Sequence, residues 1–483
     1  MRMELIAPTW KVGVQEKRAR RTRIFKIPPL GLLNVASVTP PGIEVSLIDE
    51  NVDDVNYDTD VDLVGITTMS SSIPRAYEIA DEFRRRGVAV VLGGPHVSVL
   101  PDEGLQHADA VLIGEAEGAW QELVADFCRG GKEALRKVYK NDELPDVSQM
   151  PFPQWDLLKE NTYIADKVLH LTRGCPYNCS YCSVTQLFGK KVRVRPVDKV
   201  VEFIKAHKKK GLVGRLFVFL DDNIMGHRKY ARELFTALIP LNIMWMSQAS
   251  VNAAYSDDLL ALAKKSGCKA LFVGFETVSE AALAEVGKSQ NKVEFYYDAV
   301  RRFHRNGIFI HGAFMFGMDE HDKDIFRSTV DFVIKSRLDS VQFSILTPLP
   351  GTQLADSLES QGRIFDRDWS NYDCGHVVFH PKQMSPAELD SGFAWAYVNC
   401  FTWSAIFRRL AGVFSGGRWK FLPFILLFNV SFKRTLRKMR PRIDNPMVSR
   451  ILEPWTKQAA KLFQAKAGKD NTLNLGKSSE AST

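Results

Sequence analysis

Residues 168–183 read Val-Leu-His-Leu-Thr-Arg-Gly-Cys-Pro-Tyr-Asn-Cys-Ser-Tyr-Cys-Ser, and this stretch decides the fold. Its apolar start predicts a strand over Val168–Thr172. Three cysteines follow that strand within eight residues, beside a glycine and a proline. Core packing alone explains such a group poorly, whereas thiolates are the soft ligands that hold iron–sulfur clusters and zinc. The stretch therefore predicts a metal-binding loop directly after a strand.

The number of cysteines favours iron over zinc. Three thiolates leave one iron of a four-iron cluster without a protein ligand, open to a substrate or cofactor. Structural zinc needs four close ligands, and His170 would have to complete the set from inside the strand. We predict a [4Fe-4S] cluster on Cys175, Cys179 and Cys182, with zinc as the alternative. The other cysteines lack partner spacing and are predicted to be buried small residues: Cys128, Cys268, Cys374 and Cys400.

The chain after this loop alternates apolar runs with helical patterns. Further strands are predicted at Arg215–Leu220, Met244–Gln248, Ala270–Phe275, Phe309–Phe316 and Ser340–Ile345. Helices between them are predicted at Val197–Lys208, Arg228–Leu238, Ser256–Lys265, Val293–Asn306 and Asp322–Lys335. Six β/α units predict a partial (β/α)6 barrel over residues 167–360, with its chemistry at the carboxyl ends of the strands.

Residues 1–130 show a second α/β pattern. Strands are predicted at Glu4–Ala7, Glu44–Ile48, Leu63–Thr67, Val88–Leu92 and Ala110–Ile113, with helices at Ile73–Arg86 and Glu115–Cys128. Nearly all-apolar strands predict a doubly wound parallel sheet, whose ligands bind beyond the carboxyl ends of the strands. Gly93, Gly94 and His96 follow one such end, and Gly114 and Glu115 follow another. The glycines do not form G-x-G-x-x-G, which disfavours a nicotinamide site.

The remaining segments are predicted from composition. A proline-containing connector spans residues 131–166, a helical region rich in basic and apolar residues spans 361–464, and a disordered tail spans 465–483. The N-terminus lacks the apolar run of a secretory signal, so we expect a cytoplasmic protein with reduced cysteines.

The cysteine spacing C-x3-C-x2-C after the first barrel strand, with Tyr181 before the last cysteine, resembles the radical S-adenosylmethionine (SAM) superfamily. The resemblance implies that SAM chelates the open iron and is cleaved reductively to methionine and a 5′-deoxyadenosyl radical. It implies SAM contacts at strand ends, on Tyr181, Asp221, Asp222, Gln248, Glu276, Phe316 and Pro348. Helix capping by Asp221 or Asp222, and a plain surface carboxylate at Glu276, are the alternatives.

The first half resembles the cobalamin-binding domain fused to class B radical SAM methylases. The resemblance rests on Pro28–Leu33, Asp62–Thr67, Gly93–Ser98 and Val111–Glu117 and covers about residues 1–390. It implies cobalamin contacts on Leu30, Gly31, Thr67, Gly93, Gly94, His96, Gly114 and Glu115. The Asp-x-His-x-x-Gly motif that supplies an axial histidine in other cobalamin domains is absent. We therefore expect His96 near the corrin ring but not on cobalt; a domain that has lost the cofactor is the alternative.

The resemblance implies methyl transfer to an unactivated carbon of a small molecule, using cobalamin and two molecules of SAM. Radical C–C bond or ring formation, or oxidation, is the alternative within the family. A tRNA-modifying radical SAM enzyme is an alternative of another class, but no appended RNA-binding signature supports contact with nucleic acid. A non-catalytic cobalamin or iron–sulfur sensor is a third. Cluster reduction implies an external electron donor such as flavodoxin or ferredoxin.

The net charge of +8 is concentrated near the C-terminus. Between Ser391 and Arg442 there are ten lysines and arginines and no acidic residue, around the apolar run Phe421–Phe432. That run is too short to span a bilayer, so we predict a segment lying on an anionic membrane surface and, with it, a lipid or isoprenoid substrate. A helical subdomain packed on the barrel is the alternative.

Overall fold

The computed structural model describes residues 1–9, 27–160, 162–163, 165–413, 418–419 and 422–436. Its first domain is a parallel sheet in the order β2-β1-β3-β4-β5-β6. The strands are β1 (Arg2–Ala7), β2 (Glu44–Asp49), β3 (Leu63–Thr67), β4 (Ala89–Gly93), β5 (Ala110–Ile113) and β6 (Val138–Lys140). The helices are α1 (Leu30–Ser37), α2 (Ile73–Arg85), α3 (Pro95–Val99), α4 (Pro101–His107) and α5 (Ala119–Gly130).

The two faces of this sheet bury separate cores. Leu5 of β1 packs with Leu123 of α5 on one face, and Ile6, the next residue, packs with Phe83 of α2 on the other. Successive side chains of a strand point to opposite faces, so strands that are apolar throughout require helices on both sides. The predicted doubly wound sheet is confirmed.

Two details of the first domain differ from the prediction. The connector contains β6, which pairs with β5 and extends the sheet beyond residue 130. Only Tyr139 of its three residues is buried, so the sequence carries little strand signal. Helix α5 begins at Ala119 and not at Glu115, because Gly114 and Gly118 have φ of 78° and 96° and hold the intervening residues in a loop.

The second domain is the predicted open barrel of six parallel strands, in the order β14-β13-β12-β11-β10-β7. These are β7 (Val168–Leu169), β10 (Leu216–Phe219), β11 (Met244–Ser250), β12 (Cys268–Glu276), β13 (Phe309–Phe316) and β14 (Ser340–Ile345). The predicted first strand is divided: Thr172–Arg173 forms β8, which pairs antiparallel with β9 (Arg193–Val194). This small hairpin encloses the cysteine loop.

The barrel helices follow the predicted order. They are α6 (Val184–Phe188), α7 (Val197–His207), α8 (Gly211–Gly214), α9 (Arg228–Leu238), α10 (Asp257–Ser266), α11 (Glu280–Glu285), α12 (Tyr296–Arg305), α13 (Ile325–Lys335) and α14 (Gln353–Ser360). The five predicted helices correspond to α7, α9, α10, α12 and α13 within a few residues, whereas α6, α8, α11 and α14 were not predicted. Residues 293–295 form a 3-10 turn before α12, and Ile325 begins α13 three positions later than predicted.

Three helices after the barrel pack against it: α15 (Pro386–Cys400), α16 (Trp403–Leu410) and α17 (Leu422–Leu436). Arg409 and Arg418 are buried there, contrary to the expectation of a solvated basic surface. Arg409 donates to the carbonyls of Leu338 and Asp339, and Arg418 pairs with the Asp339 carboxylate at 2.5 Å. The described part of the C-terminal region is thus partly barrel core. Residues 437–464 and the predicted tail lie outside the described residues.

No helix among the described residues is long and apolar enough to cross a membrane.

Candidate active site

The three cysteines lie on the loop between β8 and α6. Gly174 begins that loop with φ 92°, and a Cβ there would stand 2.6 Å from the Lys191 carbonyl oxygen, so the position requires glycine. The loop closes on itself where the Cys182 amide donates to the Cys179 carbonyl at 3.1 Å. Backbone constraints therefore bring all three cysteines to the carboxyl end of the barrel's first strand.

The thiols stand close enough to interact electrostatically. Burial, together with smaller effects of the neighbouring Cys179 and Cys175, raises the pKa of Cys182 to about 11. Within the described ranges, no three His, Cys, Asp or Glu side chains form a ready-made site for a single metal ion. The donor set and spacing fit a [4Fe-4S] cluster.

The two carboxylates after β10 have different surroundings. Asp221 is fully buried, and its Oδ1 accepts from the Leu171 amide and from the amide and hydroxyl of Thr172. It thereby fastens β10 to the start of the cysteine loop. Asp222 is electrostatically coupled to Cys175 and Cys182. Burial raises the pKa of Asp222 to about 6. The charge of Asp222 therefore acts on the cluster loop, whereas Oδ1 of Asp221 is held by Leu171 and Thr172.

Glu276 ends β12 where the register with β13 shifts, and it adopts φ 66°. Left-handed backbone is strained for a residue with a side chain and often marks a functional position. Its carboxylate pairs with Lys288, which also donates to the Tyr181 hydroxyl at 3.3 Å. Burial alone lowers the pKa of Lys288, but Glu276 and the thiol of Cys179 outweigh burial and raise it. A buried cation therefore stands beside the cluster loop, a position the sequence analysis did not identify.

The other predicted SAM residues lie at strand ends in different settings. Gln248 of β11 is half-buried, and its carbonyl accepts from the Ile224 amide at 3.0 Å. The Phe316 ring is in the barrel core, 4.8 Å from the ring of Phe326. Pro348 is buried in the loop after β14. The Phe316 ring is therefore occupied by core packing, and its carbonyl accepts from the Leu346 amide at 2.8 Å.

A cleft of about 930 Å³, partly open to solvent, lies between the first domain and the barrel. We call it the glycine cleft. Six predicted cobalamin residues line it: Gly31, Thr67, Gly93, Gly94, Gly114 and Glu115. The barrel side contributes His170, Arg173, Leu187 and Phe188. A Cβ on Gly31 or Gly114 would point into open space, so the missing side chains leave room for a large flat group. The largely apolar wall and the open space beside these glycines suit a flat ring system such as the corrin of cobalamin.

Two predicted cobalamin residues lie elsewhere. Leu30 packs in the core between the domains, with Leu33 and Val168. His96 is buried beside the cleft, with Nδ1 3.1 Å from the Ser70 hydroxyl and Nε2 3.5 Å from Glu103. Burial lowers the pKa of His96, which makes it a neutral ring held by polar neighbours.

A second cavity of about 1260 Å³, also partly open to solvent, adjoins the glycine cleft and shares Thr67, Pro95 and Leu187 with it. It is bounded by the first domain, by residues just after Cys182, by the loop after β14 and by the C-terminal region. Its lining includes Ser70, His96, Ser183, Gln186, Leu349, Pro350, Tyr372 and Cys374. Cys374 is exposed, as is Cys128, whereas Cys268 and Cys400 are buried. The prediction of burial is therefore wrong for two of the four remaining cysteines.

Family comparisons agree with this arrangement. Residues 169–333 match the radical SAM superfamily, and residues 19–124 match the B12 binding domain. The chain belongs to the cobalamin-dependent branch of the radical SAM superfamily. It is an enzyme of the methyltransferase group in that branch. Its cofactors are a [4Fe-4S] cluster, SAM and cobalamin.

Named relatives cover most of the chain. Bacteriochlorophyllide d C-12(1)-methyltransferase of Chlorobaculum tepidum is 32% identical over 423 residues, 86% of this chain and 90% of that protein. Hopanoid C-2 methylase of Rhodopseudomonas palustris is 26% identical over 351 residues, 71% and 66% of the two chains. The structure of TsrM from Kitasatospora setae with cobalamin and a [4Fe-4S] cluster bound superposes with a TM-score of 0.59 at 16% identity, covering 81% of each chain. The last comparison shows a shared fold.

Proposed function

We propose that the chain transfers a methyl group from SAM to an unactivated carbon of a small molecule bound in the second cavity. The observation that supports this most directly is the cavity's position. It shares walls with the glycine cleft and begins one residue after Cys182, at Ser183. A substrate there would reach both cofactors, which the reaction requires, because reacting groups must be held in near-contact.

We assign cofactor contacts as follows. Cys175, Cys179 and Cys182 hold the cluster; Asp222, Glu276, Lys288, Tyr181 and Gln248 hold SAM; and the six predicted residues that line the glycine cleft hold cobalamin. The bound cofactors supply a carbon-centred radical and the methyl group, and the electron comes from a flavodoxin- or ferredoxin-type donor. The protein's residues orient these groups and keep water away. Asp221 is assigned to fixing the strand end and not to SAM.

The proposed substrate class is a lipid, isoprenoid or related ring system. The named relatives act on a bacteriochlorophyllide and on a hopanoid, so those two compounds are the first to test. The part of the second cavity that a water-sized molecule can reach is about 420 Å³, which lies within the roughly 300–1,000 Å³ of pockets for drug-sized ligands.

We expect isotope-labelled methyl to pass from SAM to bacteriochlorophyllide d or a hopanoid in anaerobically reconstituted enzyme. A bulky maleimide on Cys374 should block this transfer while SAM cleavage continues, because the adduct fills the second cavity. The matched pair is Cys128→Ser, in which Cys374 is labelled, and Cys374→Ser, in which Cys128 is labelled. The first should lose transfer and the second should keep it. SAM cleavage without label transfer to either compound would contradict the proposal.

Glu276→Gln should weaken SAM binding by about 10- to 100-fold, since a hydrogen bond to a charged group contributes about 1.5–3 kcal/mol. Equilibrium dialysis of the reconstituted protein with SAM measures the effect, with iron content as the check that the cluster remains. Glu294→Gln, on an exposed 3-10 turn, is the control. Unchanged affinity would remove Glu276 from the SAM site.

We also propose peripheral contact with an anionic membrane through α16, α17 and Trp419. Five large apolar side chains on this surface are between 46% and 60% exposed: Trp403, Phe407, Trp419, Phe424 and Leu427. With Arg409 and Arg418 buried, aromatic insertion has to contribute more of the binding than the sequence suggests. The side chains of Lys420, Arg434, Arg437, Lys438, Arg440 and Arg442, and of Phe414 and Phe421, lie outside the described part.

The double variant Trp403→Ala/Phe407→Ala should bind anionic vesicles at least about tenfold more weakly than the unmodified chain, because burying each ring contributes about 1.5–3 kcal/mol. Co-sedimentation with phosphatidylglycerol vesicles at low salt measures this. Phe365→Ala, a 48% exposed phenylalanine outside the patch, should bind normally. If the unmodified chain ignores these vesicles, the patch has no membrane role.

A further inference from the structure

A buried ion network joins the two domains beside the cysteine loop. Arg173, two positions before Cys175, donates to Glu115 at 2.5 Å and to Glu117 at 2.6 Å. Both glutamates follow β5 in the first domain, and all three residues are less than 10% exposed. Arg193 of β9 pairs with Glu115 from the other side and donates to the Pro145 carbonyl at 2.7 Å.

Stability alone does not account for such a network. Buried ion pairs roughly break even with apolar residues of the same shape, because removing charges from water offsets their attraction. What the network does provide is geometry. A planar guanidinium between carboxylates fixes distance and orientation together, which lysine or an apolar contact does not.

The residues of the network lie between the glycine cleft and the cysteine loop. Arg173, Glu115 and Glu117 all line the glycine cleft, and Arg173 is the last residue of β8 before Gly174. Burial alone would raise the pKa of Glu117, but the hydrogen bond and charge of Arg173 hold it below its usual value.

We infer that Arg173 is a positioning residue that fixes the cluster loop relative to the glycine cleft, and thereby the separation of the cluster from cobalt. The inference rests on the proposed assignment of the cluster to the three cysteines and of cobalamin to the cleft. Loosening the network should leave both cofactors bound but let their separation vary, so that SAM is cleaved without matching methyl transfer.

The test uses anaerobically reconstituted holoenzyme with Arg173→Gln, Arg173→Lys and Glu117→Gln. Arg363→Gln is the matched control. Arg363 makes a comparable ion pair with Asp319, with 2.6 Å between nitrogen and oxygen, and this pair does not lie at the interface of the two domains. Iron and cobalamin are measured first. Pulsed electron paramagnetic resonance of the reduced protein then gives the distance distribution between the cluster and cob(II)alamin.

We expect the unmodified protein and Arg363→Gln to share one narrow distribution. Arg173→Gln and Glu117→Gln should keep both cofactors, give a broadened or shifted distribution, and raise the number of SAM molecules cleaved per methyl transferred by at least about tenfold. Arg173→Lys should lie between. An unchanged distribution in Arg173→Gln overturns the inference, as does loss of cobalamin from all three variants, which would make Arg173 a cofactor ligand. Unmodified protein without iron or cobalamin would instead contradict the proposed function.

Discussion

We expect Cys179→Ala to abolish the iron–sulfur cluster and, with it, reductive SAM cleavage. Cys179 is the middle residue of a loop whose ends are fixed by the β8–β9 hairpin and α6, so no other thiol among the described residues can take its place. Iron content after anaerobic reconstitution should fall from about four atoms per chain to near zero. The visible absorbance band and 5′-deoxyadenosine formation should disappear together.

Cys128→Ala is the control for this result, because Cys128 is exposed on α5 in the other domain and should not affect the cluster. If the triple variant Cys175→Ala/Cys179→Ala/Cys182→Ala still bound four irons, the assignment of the cluster would be wrong.

Asp339→Ala should greatly lower the free energy of unfolding, because Asp339 anchors a buried ion pair. Asp339 is fully buried and accepts from Arg418 at 2.5 Å, from His304 at 3.0 Å and from the Ile310 amide at 2.9 Å. Removing one partner of a buried ion pair leaves the other charge uncompensated, which costs about 3–5 kcal/mol. Urea unfolding followed by tryptophan fluorescence measures the change.

The pH dependence gives a second readout. Burial alone would raise the pKa of Asp339, but His304 and Arg418 hold it below its usual value of 3.8. A lowered pKa in the folded state means that the stabilisation is present above the unfolded pKa and is lost as pH falls through the folded value. The difference in unfolding free energy between the unmodified protein and Asp339→Ala should therefore be largest at pH 7 and become smaller in acid.

Asp331→Ala provides the comparison for Asp339. Asp331 pairs with Lys335 on an exposed helix face at 3.2 Å, where such pairs contribute about 0.3–0.5 kcal/mol. If Asp339→Ala lowered the free energy of unfolding no more than Asp331→Ala does, the structural role of the buried pair would be contradicted.

The sequence predicted the fold where burial is continuous. Strands such as Leu63–Thr67 and Phe309–Phe316 are apolar on both faces, so their composition alone identifies them, and the bounds agree with β3 and β13. Strand β6 was missed because only Tyr139 is buried. The first barrel strand was predicted too long, since the chain turns aside after Leu169 and re-forms as the hairpin strand β8.

The candidate site was predictable where chemistry is local. The three cysteines belong to one loop, and the cleft glycines follow strands that the sequence identifies. Lys288 and Glu117 were missed because their significance depends on partners distant in sequence or in the other domain. Glu276 meets Lys288 only after the turn that follows α11, and Glu117 meets Arg173 across 56 residues. No periodicity within a single element reveals such pairs.

The expectation of a solvated basic surface was wrong for Arg409 and Arg418 for a related reason. Charge counts do not distinguish an arginine in water from one that reaches into a core. Arg409 is buried because the carbonyls of Leu338 and Asp339 accept from it, and these belong to the turn into β14. That acceptor site is made by tertiary structure and has no signature near residue 409.

The most direct test of the central claim is the joint measurement of iron, sulfide and cobalamin in anaerobically purified protein after reconstitution. The account predicts about four irons and four sulfides on the three cysteines, and one cobalamin per chain without a protein nitrogen on cobalt. Electron paramagnetic resonance of the cob(II) state reads the last point directly. A chain that binds the cluster but retains no cobalamin, or that shows nitrogen splitting from a histidine, would contradict it.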